Sequence, residues 1–505
     1  MTNKTILSWK RKDGVKNLCD AFISSHDINP NRDFCVFEGQ RFTYADALAC
    51  MKGFASKYGA SLNGQDVAMF MSNGAPALIT YLSVLWSGGR PALLNANMPK
   101  MTGRLLMDAL APVMVFTDHA LDFDPSAVTL SNDELRALAA LDADTPSACG
   151  AGEMPATYFY SGGTTGVPKR VLYTHEKILA AGERMQWGWP MYEGEVFLPV
   201  APFSHIYGYL MGVCVPIQTA GTSIIPERFK PVEVMDLLER EKVTVLGGGP
   251  PAIYQGLMSD PTLPERDLGA LRVCPGGGAP FPLDVHKRWK EKTGLSIFEG
   301  YGMTEMAPIT VNKAGGQQRN GSAGIVVPDS EVSIVDLDTG TRAMPCGEAG
   351  EIRIRGPHAM GGYCDNAEEN ALVLRDGWVH TGDIGVLSED GFLTITDRKK
   401  DVILHKGFNV FPREVEEALM FHDAITNVCV VGQKSDRNGE NVFAFVTLEQ
   451  GKTTSREDLI EHCKQFLVAY RLPDHIEFCT ALALTPAGKV DRMAMRKTAQ
   501  DITPQ

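Results

Sequence analysis

Apolar and polar positions follow a repeating order along the first half of the chain. Asp66-Val67-Ala68-Met69-Phe70-Met71 is a short apolar run, the pattern of a buried parallel strand. Ser72-Asn73-Gly74 punctuates it. From Ala75 to Trp86, Leu78, Leu82 and Leu85 recur at helical spacing, and Pro76 falls in the first turn, where a helix tolerates it. A second apolar run starts at Pro91-Ala92-Leu93-Leu94. Strand, helix, strand is a βαβ unit, and Val113 to Thr117 and Val243 to Leu246 repeat the pattern. The pattern predicts an α/β fold.

The texture changes between about 320 and 400. Glu331 to Val335, Gly350 to Arg355 and Gly391 to Thr396 alternate polar and apolar residues between turn signals, which predicts an antiparallel β subdomain. The charged stretch Asp397-Arg398-Lys399-Lys400-Asp401 follows, then a compact α+β segment of about a hundred residues. The expected organisation is a large domain over 1–399, of α/β subdomains plus the antiparallel subdomain, and a small α+β domain over 400–505, with the boundary at Lys400.

Length and composition narrow the class. A chain of 505 residues exceeds what one core usually serves, and 44% hydrophobic residues exclude a disordered chain. A net charge of -13 argues against a general nucleic-acid binder, which needs clustered Lys and Arg. The 11 cysteines show no Cys-x-x-Cys spacing, so a zinc ribbon or redox dithiol is not expected. Scattered thiols fit a reducing compartment, each acting as a small buried hydrophobe. The N-terminus has no apolar signal-peptide core. No apolar run nears the ~20 residues of a spanning helix. The longest candidate, Tyr209 to Ile217, is broken by Pro216. These features lead us to expect a soluble cytoplasmic protein.

The most informative stretch runs from Tyr160 to Val171. Gly162, Gly163 and Gly166 let the backbone approach a ligand and turn its N–H groups inward; Ser161, Thr164 and Thr165 add hydroxyls; Lys169 adds a positive charge. Together they suit a polyphosphate. The Walker pattern fails, because Pro168 stands where its second glycine belongs and Arg170 follows the Lys.

This loop resembles the signature of the acyl-adenylate-forming enzymes, which include acyl-CoA synthetases, carrier-loading adenylation domains and beetle luciferases. The Gly162 variant is similar to that of long-chain fatty acyl-CoA synthetases. Arg170 departs from the usual Gly. Further segments match the family in order: Pro202 to Gly208, Gly276 to Pro280, Glu299 to Glu305, Trp378 to Asp383, Asp397-Arg398 with Lys406 to Val410, and Pro486 to Arg492. The resemblance covers nearly the whole chain. It implies ATP-dependent activation of a carboxylic acid as an acyl adenylate, with ATP, Mg²⁺ and coenzyme A as cofactors or co-substrates.

The same resemblance implies residue roles. Ser161, Gly162, Gly163, Thr164, Thr165, Gly166 and Lys169 would hold the β- and γ-phosphates. Glu305 would bind Mg²⁺, a hard ion that favours carboxylate and phosphate oxygens. Thr304 would donate to the α-phosphate. Gly277, Gly278 and Ala279 would leave a slot for adenine beside Glu299, Gly300, Tyr301 and Gly302, with Tyr301 as a stacking face. Asp383 would accept from the ribose hydroxyls, and Arg398 would reach ribose and phosphate. Lys489 would bridge the acid and the α-phosphate. Lys400 would be a hinge for a moving small domain, and its rotation would bring Lys406 and Gly407 near the thiol. The catalytic set is therefore Lys489, Thr304, Glu305 and Lys169.

The acid would lie near His205, Tyr207, Gly248, Gly249 and Met303. The glycines at 247–249 either enlarge that cavity or only make a turn. His205 is expected to be a wall of the pocket rather than a proton carrier. An apolar acid is favoured, fatty first and aromatic second. Coenzyme A is the expected acceptor and a carrier-protein phosphopantetheine the alternative. An aromatic acid–CoA ligase, a luciferase-like oxygenase and a non-catalytic adenylate-binding regulator are the other readings. A homodimer is left open.

Overall fold

The computed structural model describes residues 6–161, 168–279, 281–435, 437–484 and 490–502. It divides into two compact units. The first comprises Met1–Val332, Ile354–His380 and Asp390–Leu393, the second Ser333–Arg353, Thr381–Glu389 and Thr394–Gln505. The second unit thus begins its long continuous part six residues ahead of Lys400 and takes in two pieces of the strand-rich stretch. The sequence pattern alone placed that whole stretch in the large domain. Alternation identifies strands, but it does not say which unit they join.

In the first unit the expected βαβ order holds. Asp66–Phe70 lies parallel to Arg90–Leu94 and to Met114–Thr117, and Ala75–Trp86 is the intervening helix. Phe70, Leu94 and Tyr158 pack with Leu106 and Leu110 of the helix Lys100–Leu110 in one apolar cluster. Pro155–Ser161 extends this sheet in parallel, then returns antiparallel as Lys169–Thr174, with Ser161 opposite Lys169. Ser161 and Lys169, the two ends of the phosphate-loop motif, therefore stand opposite each other on paired strands. A second sheet sets Val245–Gly247, Val196–Pro199, Thr222–Ile225 and Asp33–Phe37 side by side in parallel. A third begins with Cys274–Gly276 parallel to Ile297–Met303, which folds back on Met306–Val311. Between 320 and 400 the chain is strand-rich as expected, with strands at Glu331–Val335, Gly350–Arg355, Trp378–Leu387 and Phe392–Arg398 and one helix, Ala367–Val373.

The apolar run near Tyr209 is helical in three joined pieces. Ile206–Tyr209 and Val215–Gln218 are α-helical, and Leu210–Cys214 between them is a π turn. No helix among the described residues is long and apolar enough to cross a membrane.

The second unit is built on the antiparallel pair Ile425–Ser435 and Gly439–Leu448, with His475–Phe478 parallel to the latter. Side-chain alternation gives this sheet two apolar faces. Val430, Val442, Ala444 and Val446 pack with Val415, Leu419 and Leu459 of the helices Pro412–Met420 and Arg456–Cys463. Cys429, Val431, Phe443 and Phe445 pack with Met495 and Ala499 of the helix Arg492–Asp501.

Candidate active site

In the first unit, loops at the C-terminal ends of adjacent parallel strands converge, the usual position of ligand sites in α/β sheets. Gly249 bridges Gly276 in parallel, and the Gly277 N–H donates to the Gly249 carbonyl at 3.1 Å. A Cβ at Gly277 would lie 2.7 Å from the Gly300 carbonyl oxygen. The segment that would form the adenine slot is thus pressed against the strand Ile297–Met303. The glycines at 247–249 divide in role. A Cβ on Gly248 would lie 2.2 Å from the Pro275 carbonyl oxygen, so close strand packing demands glycine there. A Cβ on Gly249 would meet only Ile253, at 3.6 Å.

Met303 pairs with Met306, so Thr304 and Glu305 are the two turn residues of the hairpin. The turn is fixed from outside. The Tyr173 hydroxyl donates to the Thr304 carbonyl at 3.0 Å, and the Met360 N–H donates to the Glu305 carbonyl at 2.7 Å. The Glu305 side chain is buried, and its Oε1 accepts from the Tyr363 hydroxyl at 2.5 Å. Burial, and then the adjoining Glu305 carboxylate, hold the Tyr363 phenol well above the usual tyrosine range. It therefore acts here as a hydrogen-bond donor.

Tyr363 also ties this turn to the phosphate hairpin. It bridges Val171, neighbours Ser161, and offers its ring to Lys169, whose Nζ lies 5.1 Å from the ring centre. The Lys169 ammonium is ion-paired with Glu369 at the start of the helix Ala367–Val373. Tyr363, Glu369 and Asn370 carry no motif of their own in the sequence. Asn370 accepts from the Tyr363 N–H at 2.7 Å and donates to its carbonyl at 2.8 Å, which fixes the backbone of the tyrosine.

Arg170, the departure from the family pattern, faces away from this cluster. Its guanidinium bonds Asp365 at 2.6 Å and the Ala109 carbonyl at 2.9 Å, and it covers the Tyr158 ring. Adjacent strand residues face opposite ways, so Lys169 and Arg170 serve different neighbours. Glu299 is likewise occupied in packing: its Oε1 meets the His286 Nε2 at 2.8 Å and accepts from the Gly321 N–H at 3.0 Å. Tyr301 pairs with Thr310, and the strand slips register between Tyr301 and Met303, at Gly302. His205 is exposed at the start of the helix Ile206–Tyr209, where its Nδ1 accepts from the Tyr207 N–H at 3.2 Å. The Tyr207 hydroxyl is buried with no hydrogen-bond partner among the described residues.

The second unit holds another group of the expected residues. Asp383 is buried in the strand Trp378–Leu387, and Arg398 Nε lies 3.2 Å from its Oδ1. Lys399 pairs with Glu351 at 3.0 Å, whereas Lys400 is exposed in a short 3₁₀ turn and its carbonyl accepts from Arg496. Lys406 and Gly407 form the two-residue turn between Ile403–His405 and Phe408–Val410, both with positive φ (52° and 82°). Such a hairpin turn needs left-handed backbone at both positions. Gly278 and Ala279 lie in the turn after Cys274–Gly276. Gly162, Gly163, Thr164, Thr165, Gly166 and Lys489 lie outside the described residues.

Taken together, this α/β fold and its converging loops define the chain as a member of the AMP-binding enzyme family. The family's pattern matches residues 24–364, and that of the AMP-binding enzyme C-terminal domain matches 414–489. Among relatives, the long-chain-fatty-acid–CoA ligase of Bacillus subtilis (strain 168) is 40% identical over 336 residues, 66% of this chain and 60% of that protein. The chain thus spans about 60% of the length of that curated relative. Among solved structures, ATP-bound MatB from Rhodopseudomonas palustris superposes with a TM-score of 0.88 at 27% identity, covering 96% of this chain and 99% of that one. The o-succinylbenzoate coenzyme A synthetase MenE of Bacillus subtilis, in complex with ATP and a magnesium ion, gives 0.83 at 25% identity, over 94% and 99%.

Proposed function

We propose that the chain is an AMP-forming acid–thiol ligase. It would activate an apolar, fatty carboxylic acid as the acyl adenylate, release pyrophosphate, and pass the acyl group to the thiol of coenzyme A. The observation that carries this reading is the chain of contacts Lys169–Tyr363–Glu305. It couples the cation at the phosphate hairpin to a buried carboxylate on the neighbouring turn. The relatives named for fatty-acid–CoA ligation and the ATP-bound neighbours support it.

A carboxylate is a poor electrophile, and its approach to ATP brings two anions together. The site must therefore supply positive charge and in-line geometry. Ser161 and Lys169 would hold the leaving phosphates, Lys169 exchanging Glu369 for phosphate oxygen. Thr304 would donate to the α-phosphate. The donor set fits a magnesium ion brought with the nucleotide. Glu305 offers a buried hard oxygen. Magnesium usually keeps waters and phosphate oxygens beside one or two carboxylates. When bound it would neutralise charge building on the phosphates. Asp383, oriented by Arg398, would accept from the ribose hydroxyls. Lys489 would join acid and α-phosphate, and a rotation hinged at Lys400 would bring Lys406 and Gly407 to the thiol. This scheme places the functional boundary at Lys400, with 1–399 and 400–505 as working domains in the cytoplasm.

A panel of acids assayed for pyrophosphate release, with and without coenzyme A, tests the reading. Fatty acids should release pyrophosphate and consume coenzyme A. Pyrophosphate release without coenzyme A consumption would favour a carrier-protein acceptor. Best turnover with aromatic acids would move the substrate class. Silence with every acid would favour an adenylate-binding regulator.

A further inference from the structure

The mechanism above uses no thiol of the protein, yet one pair of cysteines departs from the pattern of inert core residues. Cys149 is only partly buried, while Cys19 is fully buried near the start of the helix Leu18–Ile28. The two are 130 residues apart in sequence, and several contacts bring them together. Asn17, which caps that helix, donates from its side chain to the Gly150 carbonyl at 2.9 Å. The Cys149 and Cys19 side chains are interacting neighbours. On its other side, Cys149 Sγ lies 4.0 Å from Nδ1 of His175, the buried first residue of the helix His175–Gly188. Cys149 thus lies between the N-terminal ends of two helices and beside an imidazole.

Each of these neighbours favours a thiolate over a thiol. Helix N-termini carry partial positive charge, and a nearby histidine adds a donor. The neighbouring Cys19 thiol, and then His175, hold the Cys149 thiol below the usual cysteine range. Its neighbour Cys149, and then burial, push the Cys19 thiol up; Cys19 is fully buried and Cys149 only partly, so Cys149 is the sulfur that solvent reaches. A partly exposed sulfur beside a buried second sulfur is the arrangement of an attacking and a resolving cysteine.

We propose that Cys149 is a peroxide-reactive thiol and that Cys19 resolves it, giving a Cys19–Cys149 disulfide. The Cys149 thiolate attacks one oxygen of hydrogen peroxide; the O–O bond breaks, hydroxide leaves and takes up a proton as water, and Cys149 becomes a sulfenic acid. Cys19 then gives up its proton and attacks the Cys149 sulfur. The S–O bond breaks, a second water leaves, and the S–S bond forms. Two thiols lose two electrons in all, and the peroxide takes both. The product ties the first helix to the segment that leads into the strand Pro155–Ser161, at the end of the phosphate hairpin opposite its loop.

The test uses the reduced, full-length chain treated with limiting hydrogen peroxide. Remaining thiols are then alkylated and the peptides mapped without reduction. Cys149 should oxidise on the order of tenfold faster than the exposed Cys346, and a peptide linking residues 19 and 149 should form with loss of two hydrogens. The Cys19→Ser chain should instead stop at a Cys149 sulfenic acid that a dimedone probe captures. The wild-type map does not depend on how well any variant folds. Oxidation of Cys149 no faster than Cys346, or absence of the linked peptide from oxidised wild type, overturns the proposal.

Discussion

The Tyr363 phenol lies between two charges that the chemistry would use: its hydroxyl donates to Glu305 and its ring faces Lys169. Tyr363→Phe keeps the ring but removes the donor, leaving one buried carboxylate oxygen without it. Groups that orient a metal-binding carboxylate typically matter by about 10–100-fold. We expect adenylate formation to fall by about that factor and its Mg²⁺ requirement to rise. Thioester formation from supplied acyl-AMP should be spared. Pyrophosphate release titrated with Mg²⁺ checks this, and an unchanged Mg²⁺ curve would remove Tyr363 from the site. The residue was not legible in the sequence. Its role comes from a backbone bridge to Val171, 192 positions earlier, and no local motif encodes a pairing at that range. Glu305, by contrast, was legible, because its turn carries its own signature within a few residues. Asp397 stands in the charged stretch and in the family's hinge segment, neither of which signals burial, yet it is buried and accepts from the backbone N–H groups of Arg413 and Arg398 at 2.9 and 2.8 Å. Burial pushes its carboxyl up to about 6, against those bonds and the Arg492 charge, with Glu416 adding to the rise. The folded state therefore holds this proton more tightly than the unfolded chain. That stability is fully present below pH ~4 and is lost as pH rises through about 6, an effect of at most about 3 kcal/mol. Asp397→Asn should flatten this part of the pH dependence, read from denaturant unfolding of both chains between pH 4 and 8.

At the scale of elements, the hydrophobic pattern located most of what positions the site. The helix Ala75–Trp86 has the expected bounds, and the strand after it begins one residue early, at Arg90. The period of apolar positions is a local property, so it survives without tertiary information. The function of the glycines at 247–249 was not legible, because cavity and turn read alike in sequence. The structure separates them by what a Cβ would strike. Gly277 makes the same point on the adenine side, since its hydrogens face the Gly300 carbonyl. Backbone cannot yield as a flexible side chain does, so Gly277→Ala should cost roughly 1–3 kcal/mol. It should also raise the KM for ATP more than the KM for the acid. A thermal melt with steady-state kinetics checks both; a neutral result would mean that the two segments separate without cost.

Across the whole molecule, a net charge of -13 would oppose the approach of the proposed substrates, ATP, coenzyme A and a carboxylate, all of them anions. Attraction must come from local cations, and several of those described are already engaged. Lys169 is held by Glu369, Arg398 by Asp383 and Lys399 by Glu351. Lys406 stands exposed on a hairpin turn of the second unit. Cations that must exchange a carboxylate for phosphate suit a site that assembles in stages. Lys489, from the C-terminal motif, would supply the last charge for adenylation and then withdraw. Lys489→Ala should therefore abolish adenylate formation and largely spare transfer of the acyl group from supplied acyl-AMP to coenzyme A. If the two half-reactions fall together, one fixed arrangement serves both and the rotation about Lys400 is unnecessary. If only the first falls, Lys406→Ala should show the converse pattern, because the hairpin turn would then serve only the thiol step.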